Sequence, residues 1–219
     1  MTITPESVHN LLHSENFGER IKGINQLREL DTNIAYELIL PLIKDDNVRV
    51  RYAAVSQLDT LGGANLDQCR EILLDRLYHD PESDVKAAAA DAIAGLKLTS
   101  AYPDLEKVYY GCEDWLIQFS IVAALGELGD TRGFDLLKSA LQSDNSLLQT
   151  AAISALGELG DNRAVDLLIP FVDSDDWQIR HRLAGALGRL GGEGAKITLQ
   201  KLTEDKSDAV AEEAKNYLV

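Results

Sequence analysis

The sequence predicts an all-α fold, a right-handed superhelical solenoid of about seven helix-pair repeats. Three observations lead to this prediction. A seven-residue segment recurs at a fixed spacing, apolar residues follow helical periodicity, and the composition is rich in Ala and Leu with only 6% aromatic residues, which favours helices over strands. Because repeat arrays grow by adding units, a 219-residue chain of this kind needs no single central core.

The repeat is clearest in the second half of the chain. The segment A-L-G-E-L-G-D stands at residues 124–130 and again at 155–161, and A-L-G-R-L-G-G stands at 186–192, so the spacing is 31 residues each time. Residues 26–31 and 57–63 fit the same frame, and residues 92–96 belong to a slightly longer repeat. Such a period is typical of helical repeat arrays. The sequence predicts one continuous domain over residues 1–219, with repeats starting near residues 1, 34, 66, 101, 133, 164 and 195.

Residues 133–163 show how one unit is built. Apolar residues at helical spacing from 134 to 141 predict a first helix, and those from 148 to 159 predict a longer second helix. Asn145 lies in the turn between them and is a suitable N-cap. Gly160 stands where a left-handed C-cap is needed. Since neither helix can bury its apolar face alone, neighbouring repeats must stack.

Charge and cysteine usage exclude several function classes. The chain has 36 acidic against 21 basic residues and a formal net charge of −15, so it repels phosphate backbones and we expect no nucleic-acid partner. Cys69 and Cys112 form no Cys-x-x-Cys or Cys/His pattern, so we expect no metal site. No apolar run approaches the roughly 18 residues that a membrane span needs. We therefore expect a reduced, cytoplasmic protein.

The second helices carry a candidate binding surface. With the second-helix Leu or Ile of each repeat as position zero, positions −10 and −6 point away from the core, onto the concave face. We predict a cleft between Trp115 and Trp177, floored by Ser146 and Thr150, which suits a flat conjugated ligand or an apolar protein segment. Alternatively, the rings pack against the neighbouring repeat. Five ring-bearing side chains lie at these positions: Tyr52, Trp115, Phe119, Trp177 and His181.

Position −7 of the second helices carries Arg51 and Arg180. An arginine can hold the acid groups of a ligand with two parallel hydrogen bonds. The alternative is that both arginines bind the turn acids Asp46 and Asp175 and carbonyl groups between repeats.

Other polar residues near the tryptophans allow two interpretations each. Asp114 and Asp176 directly precede the tryptophans, and they either cap the helices or face the N–H groups of a ligand. His181 is a candidate general acid or base, or a plain surface residue. Cys112 could hold a ligand as a thioether, although acidic neighbours raise the pKa of a thiol. Cys69 lies on an apolar stripe, which predicts that it is buried.

The repeat text D-x-x-V-R-x-x-A-A-x-A-L-G-x-L-G-D resembles the short HEAT-like repeats of the phycobilisome lyase family. Residues 46–54 and 175–180 carry this resemblance. Residues 4–8, 50–56 and 115–124 are similar to those family members that take part in phycobilisome degradation. The resemblance covers the whole chain and implies a solenoid of HEAT-like repeats.

The resemblance also implies a function. It implies a cyanobacterial cytosolic protein that binds phycobiliproteins (phycocyanin or allophycocyanin subunits) and detaches their thioether-linked phycocyanobilin, a linear tetrapyrrole, during nutrient starvation. No cofactor is implied, and His181 is the candidate catalytic residue. The alternatives are a non-enzymatic adaptor that binds phycobiliprotein subunits for degradation and a general scaffold without a pigment. The candidate ligand- or partner-binding residues are Tyr52, Trp115, Phe119, Trp177, Arg51, Arg180, Asp114 and Asp176.

Overall fold

A computed structural model describes residues 2–218, and all regular structure in this range is helical, which confirms the predicted all-α class. The chain forms two compact units, unit 1 up to Ser120 and unit 2 from Ile121 onwards; a single domain over residues 1–219 stays a prediction. The α-helices are α1 (Pro5–Leu12), α2 (Phe17–Gln26), α3 (Thr32–Ile39), α4 (Val48–Ser56), α5 (Leu58–Leu61), α6 (Leu66–His79), α7 (Ser83–Gly95), α8 (Tyr102–Gly111), α9 (Trp115–Leu128), α10 (Phe134–Ala140), α11 (Ser146–Leu159), α12 (Ala164–Leu168), α13 (Trp177–Leu190), α14 (Glu193–Leu202) and α15 (Asp208–Asn216).

In two repeats, the first helix of the pair is shortened by a proline. Helix α3 gives way to a 3-10 turn (Leu40–Lys44) containing Pro41, and α12 gives way to another (Ile169–Asp173) containing Pro170. Proline lacks the N–H that an α-helix interior requires, so the tighter turn replaces the last α-helical turn. Within residues 2–218, no helix combines the length and the apolar character that crossing a membrane requires.

The helix ends of the representative repeat agree with the sequence. The Asn145 side chain accepts hydrogen bonds from the backbone N–H groups of Leu147 and Leu148 at 3.0 and 3.5 Å, and so caps α11. At the other end, Gly160 has φ +72° in the left-handed region, where a residue with a Cβ is strained. Both predicted caps are confirmed.

The first glycine of the A-L-G-x-L-G segment has a different task from the second. A Cβ added to Gly157 would lie only 2.6 Å from the Cα of Ala186 in the next second helix. The missing side chain therefore allows two backbones to approach closely. Gly126 makes the same kind of contact with Ala155, whereas Gly188 leaves room for the side-chain ring of Tyr217.

A buried arginine joins consecutive repeats in unit 1. The Nη1 of Arg51 donates to the carbonyl oxygens of Asp45 and Asp46, at 2.9 and 3.2 Å, in the turn before its own helix. Its Nε and Nη2 donate to the two carboxylate oxygens of Asp80, at 3.0 and 3.1 Å, in the next repeat. The Asp80 side chain is fully buried. One guanidinium thus donates hydrogen bonds to the carbonyl groups of a turn and also holds the neighbouring repeat through its carboxylate.

Arg180 makes the corresponding link in unit 2. It donates to the carbonyls of Ser174 and Asp175, at 2.6 and 3.2 Å, and bidentately to Asp205, at 2.6 and 2.9 Å. The hydrogen bonds from Arg180 hold the pKa of the Asp205 carboxyl below its usual range. Arg20 repeats the pattern in the first repeat, with the Ser14 carbonyl at 2.7 Å and the Asp45 carboxylate at 3.0 Å.

We expect Gly157→Ala to lower the free energy of unfolding by about 2–3 kcal/mol, because the new Cβ meets a backbone atom that cannot move aside. Urea denaturation followed by circular dichroism measures the effect. Gly111→Ala is the matched control, since a Cβ there meets open space, and should change stability by less than about 0.5 kcal/mol. Equal stability of the two variants would contradict the close approach.

We expect Asp205→Asn to lower the free energy of unfolding at pH 7 by about 3 kcal/mol, because Arg180 is left buried without its counterion. Since the pKa of Asp205 is lower in the folded state, the stabilisation is fully present above the unfolded-state pKa of about 3.9 and is lost as the pH falls through the folded-state pKa. The difference between wild type and variant should therefore shrink below about pH 4.

Thermal or urea unfolding between pH 2 and 7 tests this expectation. The control is Asp173→Asn, whose ion pair with Lys201 is solvent-exposed and should contribute less than about 0.5 kcal/mol. An equal loss for both variants, or a difference that persists unchanged at pH 2, would contradict the assigned role of the buried pair.

Candidate functional site

Three aromatic side chains of the predicted surface are open to solvent. Tyr52, Trp115 and Trp177 have exposed fractions of 47%, 50% and 47%. Trp115 and Trp177 begin α9 and α13, and Tyr52 lies in the second turn of α4; the helical register places all three on the side away from the core. The three rings are therefore available for stacking or for apolar contact.

His181 and Phe119 are only half-buried, one helical turn after the tryptophans. The His181 imidazole packs edge-to-face on Trp177, with ring centroids 6.4 Å apart and planes at 84°. A ring held in this way has a defined orientation beside an exposed aromatic face. Trp177 and His181 thus form one candidate site within unit 2.

The predicted cleft between Trp115 and Trp177 stays a prediction, because the first residue belongs to unit 1 and the second to unit 2. Ser146 and Thr150 are the predicted floor of this cleft. The Thr150 hydroxyl donates to the Ser146 carbonyl at 2.7 Å. That hydroxyl hydrogen is therefore used within α11.

The two predicted ligand-binding arginines are engaged in the fold. Arg51 and Arg180 are 9% and 4% exposed, and their hydrogen bonds go to turn carbonyls and to the carboxylates of Asp80 and Asp205. An arginine held by a buried carboxylate is not free to grip the acid groups of a ligand. These ion pairs favour the structural alternative, and ligand binding by the two arginines stays a prediction. The turn acids Asp46 and Asp175, expected as partners, contribute only their carbonyl oxygens.

Asp114 and Asp176 act as helix caps. Asp114 accepts hydrogen bonds from the Leu116 N–H at 2.9 Å and from the Ser83 hydroxyl, and these bonds lower the pKa of its carboxyl. Asp176 accepts from the Gln178 N–H at 2.8 Å. The capping alternative is confirmed, and the carboxylates fix the helix ends that carry the tryptophans.

Neither thiol is activated. Cys69 is fully buried, as predicted, and burial raises its pKa to about 12. Cys112 is partly exposed, but burial raises the pKa of its thiol too, and a backbone hydrogen bond at Asp114 offsets only part of the rise. Both thiols are protonated near neutral pH, which disfavours a thioether role for Cys112.

Phe17 is a candidate residue that the sequence analysis missed. It is 41% exposed at the start of α2, and the guanidinium carbon of Arg49 lies 6.0 Å from its ring centroid. With Leu27 as position zero of the first repeat, Phe17 stands at position −10, so the helical register could have identified it. Within residues 2–218, no three His, Cys, Asp or Glu side chains are grouped to hold a metal ion.

Comparisons with known proteins agree with this architecture. A family model described as HEAT repeats matches residues 70–157 and 134–218. No curated protein matches the chain in sequence. Among solved structures, the complex of CpcE and CpcF of phycocyanin lyase from Nostoc sp. PCC7120 aligns with a TM-score of 0.67 and 22% identity, over 100% of this chain and 94% of that chain.

Two further structures are similar. An archaeal HEAT-like repeats protein from Thermococcus onnurineus NA1 aligns with a TM-score of 0.58 and 15% identity, over 99% of this chain and 96% of that chain. An engineered protein aligns with a TM-score of 0.60 and 20% identity, over 98% and 67% of the two chains. These identities establish a shared fold alone. Because the family match extends over more than half of the sequence, the chain belongs to the HEAT-repeat family.

Proposed function

We propose that this chain binds phycobiliproteins, with phycocyanin or allophycocyanin subunits as partners, and detaches their thioether-linked phycocyanobilin during nutrient starvation. Two similarities support the proposal: the sequence resemblance to the phycobilisome lyase family and its degradation members, and the shared fold with the phycocyanin lyase subunits. The observation that carries it furthest is the exposed Trp177 ring with the His181 imidazole packed against it at a steep angle.

The proposed reaction is an elimination. His181 removes a proton from the bilin carbon next to the carbon that bears sulfur, the C–S bond breaks, and its electron pair leaves with the cysteine sulfur. The new C=C bond stays in the bilin, and His181 returns the proton to the thiolate, so no oxidant or reductant is needed. An imidazole is suited to both steps near neutral pH. Trp177 provides a flat apolar surface for the conjugated pigment.

We expect His181→Gln to slow chromophore release by at least about 100-fold, because a general acid–base group is removed, while the protein still binds phycocyanin. Visible absorbance of mixtures with phycocyanin or allophycocyanin measures release, and co-sedimentation measures binding. Trp177→Ala should weaken both, since the stacking surface is lost.

Tyr110→Ala is the matched control for this experiment. Tyr110 is 61% exposed but lies on the first helix of its repeat, so its removal should leave release and binding unchanged. The proposal is wrong if the wild-type protein neither binds nor releases chromophore, or if His181→Gln and Trp177→Ala behave as Tyr110→Ala does.

A second candidate function is a non-enzymatic adaptor that presents phycobiliprotein subunits for degradation. The ion pairs of Arg51 and Arg180 favour it, because they commit both side chains to the fold instead of to a pigment. Binding of intact phycocyanin without any change in its visible spectrum would select the adaptor.

A further inference from the structure

Unit 1 carries an exposed apolar row of its own. Phe17, Tyr52 and Trp115 are 41%, 47% and 50% exposed, and all stand at positions −10 or −6 of second helices. We call these three side chains the aromatic row. Aromatic side chains dominate the binding energy of protein interfaces because they bury large areas at little entropic cost. Three partly exposed apolar side chains lie at the same two positions: Ile21, Val48 and Phe119.

The aromatic row is interrupted at α7, which comes between α4 and α9 in the order of the second helices and carries no ring at position −6. Helix α7 packs against α4, and its Ser83 hydroxyl donates to Asp114 at the start of α9. At position −6 of α7 stands Ala87, which is only 6% exposed. Position −6 of α7 therefore carries a small, buried side chain and no exposed ring.

A line of carboxylates runs beside the aromatic row. Arg20 and Arg51 bind the carbonyls of residues 15 and 46 at 3.1 and 3.2 Å, so the turns before α2 and α4 share one geometry. Among residues 2–120, ion pairs are formed by other acids, namely Glu19, Asp45, Asp75, Asp80 and Asp104. We call the exposed acids in the turns before α2, α4, α7 and α9 the acidic edge: Glu15, Asp46, Glu82 and Glu113.

We propose that the aromatic row and the acidic edge together dock an amphipathic α-helix of a partner protein. The apolar face of that helix lies on the row, and its Lys or Arg residues lie along the acidic edge. Apolar anchors at helical spacing in a groove are a recurring mode of peptide recognition. Opposite charges along one flank set the orientation and increase the association rate. No chromophore is involved, so this inference goes beyond the proposed function.

The length of the row fits this occupant. Neighbouring packed helices are about 8–10 Å apart, so four successive second helices span about 27 Å. At a rise of 1.5 Å per residue, an α-helix of about 18 residues covers that distance.

The test uses a fluorescein-labelled 18-residue peptide of Leu, Ala and Lys, with Leu at positions i, i+3, i+4 and i+7 and Lys along one flank. Fluorescence anisotropy with the full-length protein measures the dissociation constant. We expect Phe17→Ala, Tyr52→Ala and Trp115→Ala each to weaken binding about tenfold. Tyr110→Ala, which removes an even more exposed ring on a first helix, should bind as the wild type does.

The charge contribution is tested separately. A peptide with Glu in place of Lys should bind at least about tenfold more weakly, and added salt should weaken only the Lys peptide. Neutralising the acidic edge (Glu15→Gln, Asp46→Asn, Glu82→Gln and Glu113→Gln) should remove the preference for Lys. Neutralising four exposed acids elsewhere (Glu29→Gln, Glu37→Gln, Asp67→Asn and Glu71→Gln) should not.

Equal binding of the Lys and Glu peptides, or row variants that behave as Tyr110→Ala, would overturn the inference. If phycocyanin binds while the Lys peptide does not, the docking of a basic helix is wrong and the proposed function survives. If the Lys peptide binds with the expected variant effects and phycobiliproteins are ignored, the inference stands and the proposed function fails.

Discussion

The buried arginine at position −7 of a second helix is the interaction on which the repeat geometry depends. Arg51 and Arg180 satisfy carbonyl groups of the preceding turn and bind a carboxylate of the following repeat. Those carbonyls would otherwise be deprived of a donor as the turn packs. In the middle repeats a glutamine, which has fewer N–H donors, takes the place of the arginine: Gln149 donates to the Leu141 carbonyl at 2.9 Å. The starts of α4, α11 and α13 are thereby fixed, and α4 and α13 each carry an exposed aromatic ring.

The two ends of a second helix are stabilised in different ways. At its start, polar groups are joined by directional hydrogen bonds, with caps such as Asp176 adding to them. Towards its end, unit 2 relies on close backbone packing at Gly157 and Ala186, where dispersion contacts replace polar ones. Because other residues hold both ends, the exposed side of the helix can carry residues such as Trp177 and His181 that serve binding, which is a general property of sites on repeat scaffolds.

The sequence predicted what depends on local patterns. Helix pairs, the Asn145 cap, the left-handed Gly160 and the exposed tryptophans all follow from spacing within one repeat. It did not predict the partner of Arg180, because Asp205 lies in the next turn and only packing brings them together. Nor did it predict that the first glycine of A-L-G-x-L-G serves helix packing, because the residue it contacts lies in the next repeat.

The pairing of Arg180 with Asp205 also bears on how such a chain can be rearranged. The turn after Arg180 offers a carboxylate, whereas the turn after Gln149 offers Ser174, whose hydroxyl accepts from the Asp176 N–H at 3.3 Å. A repeat with an arginine at position −7 of its second helix would bury a cation without a counterion if the turn of the next repeat offered a serine in place of the aspartate. The repeats are alike in shape, but the side chain at position −7 of one repeat has to suit the turn residue of the next. These pairings therefore restrict the order of the repeats along the chain. We expect a duplicated or reordered repeat to be tolerated only where the next repeat supplies a turn residue that suits its position −7 side chain.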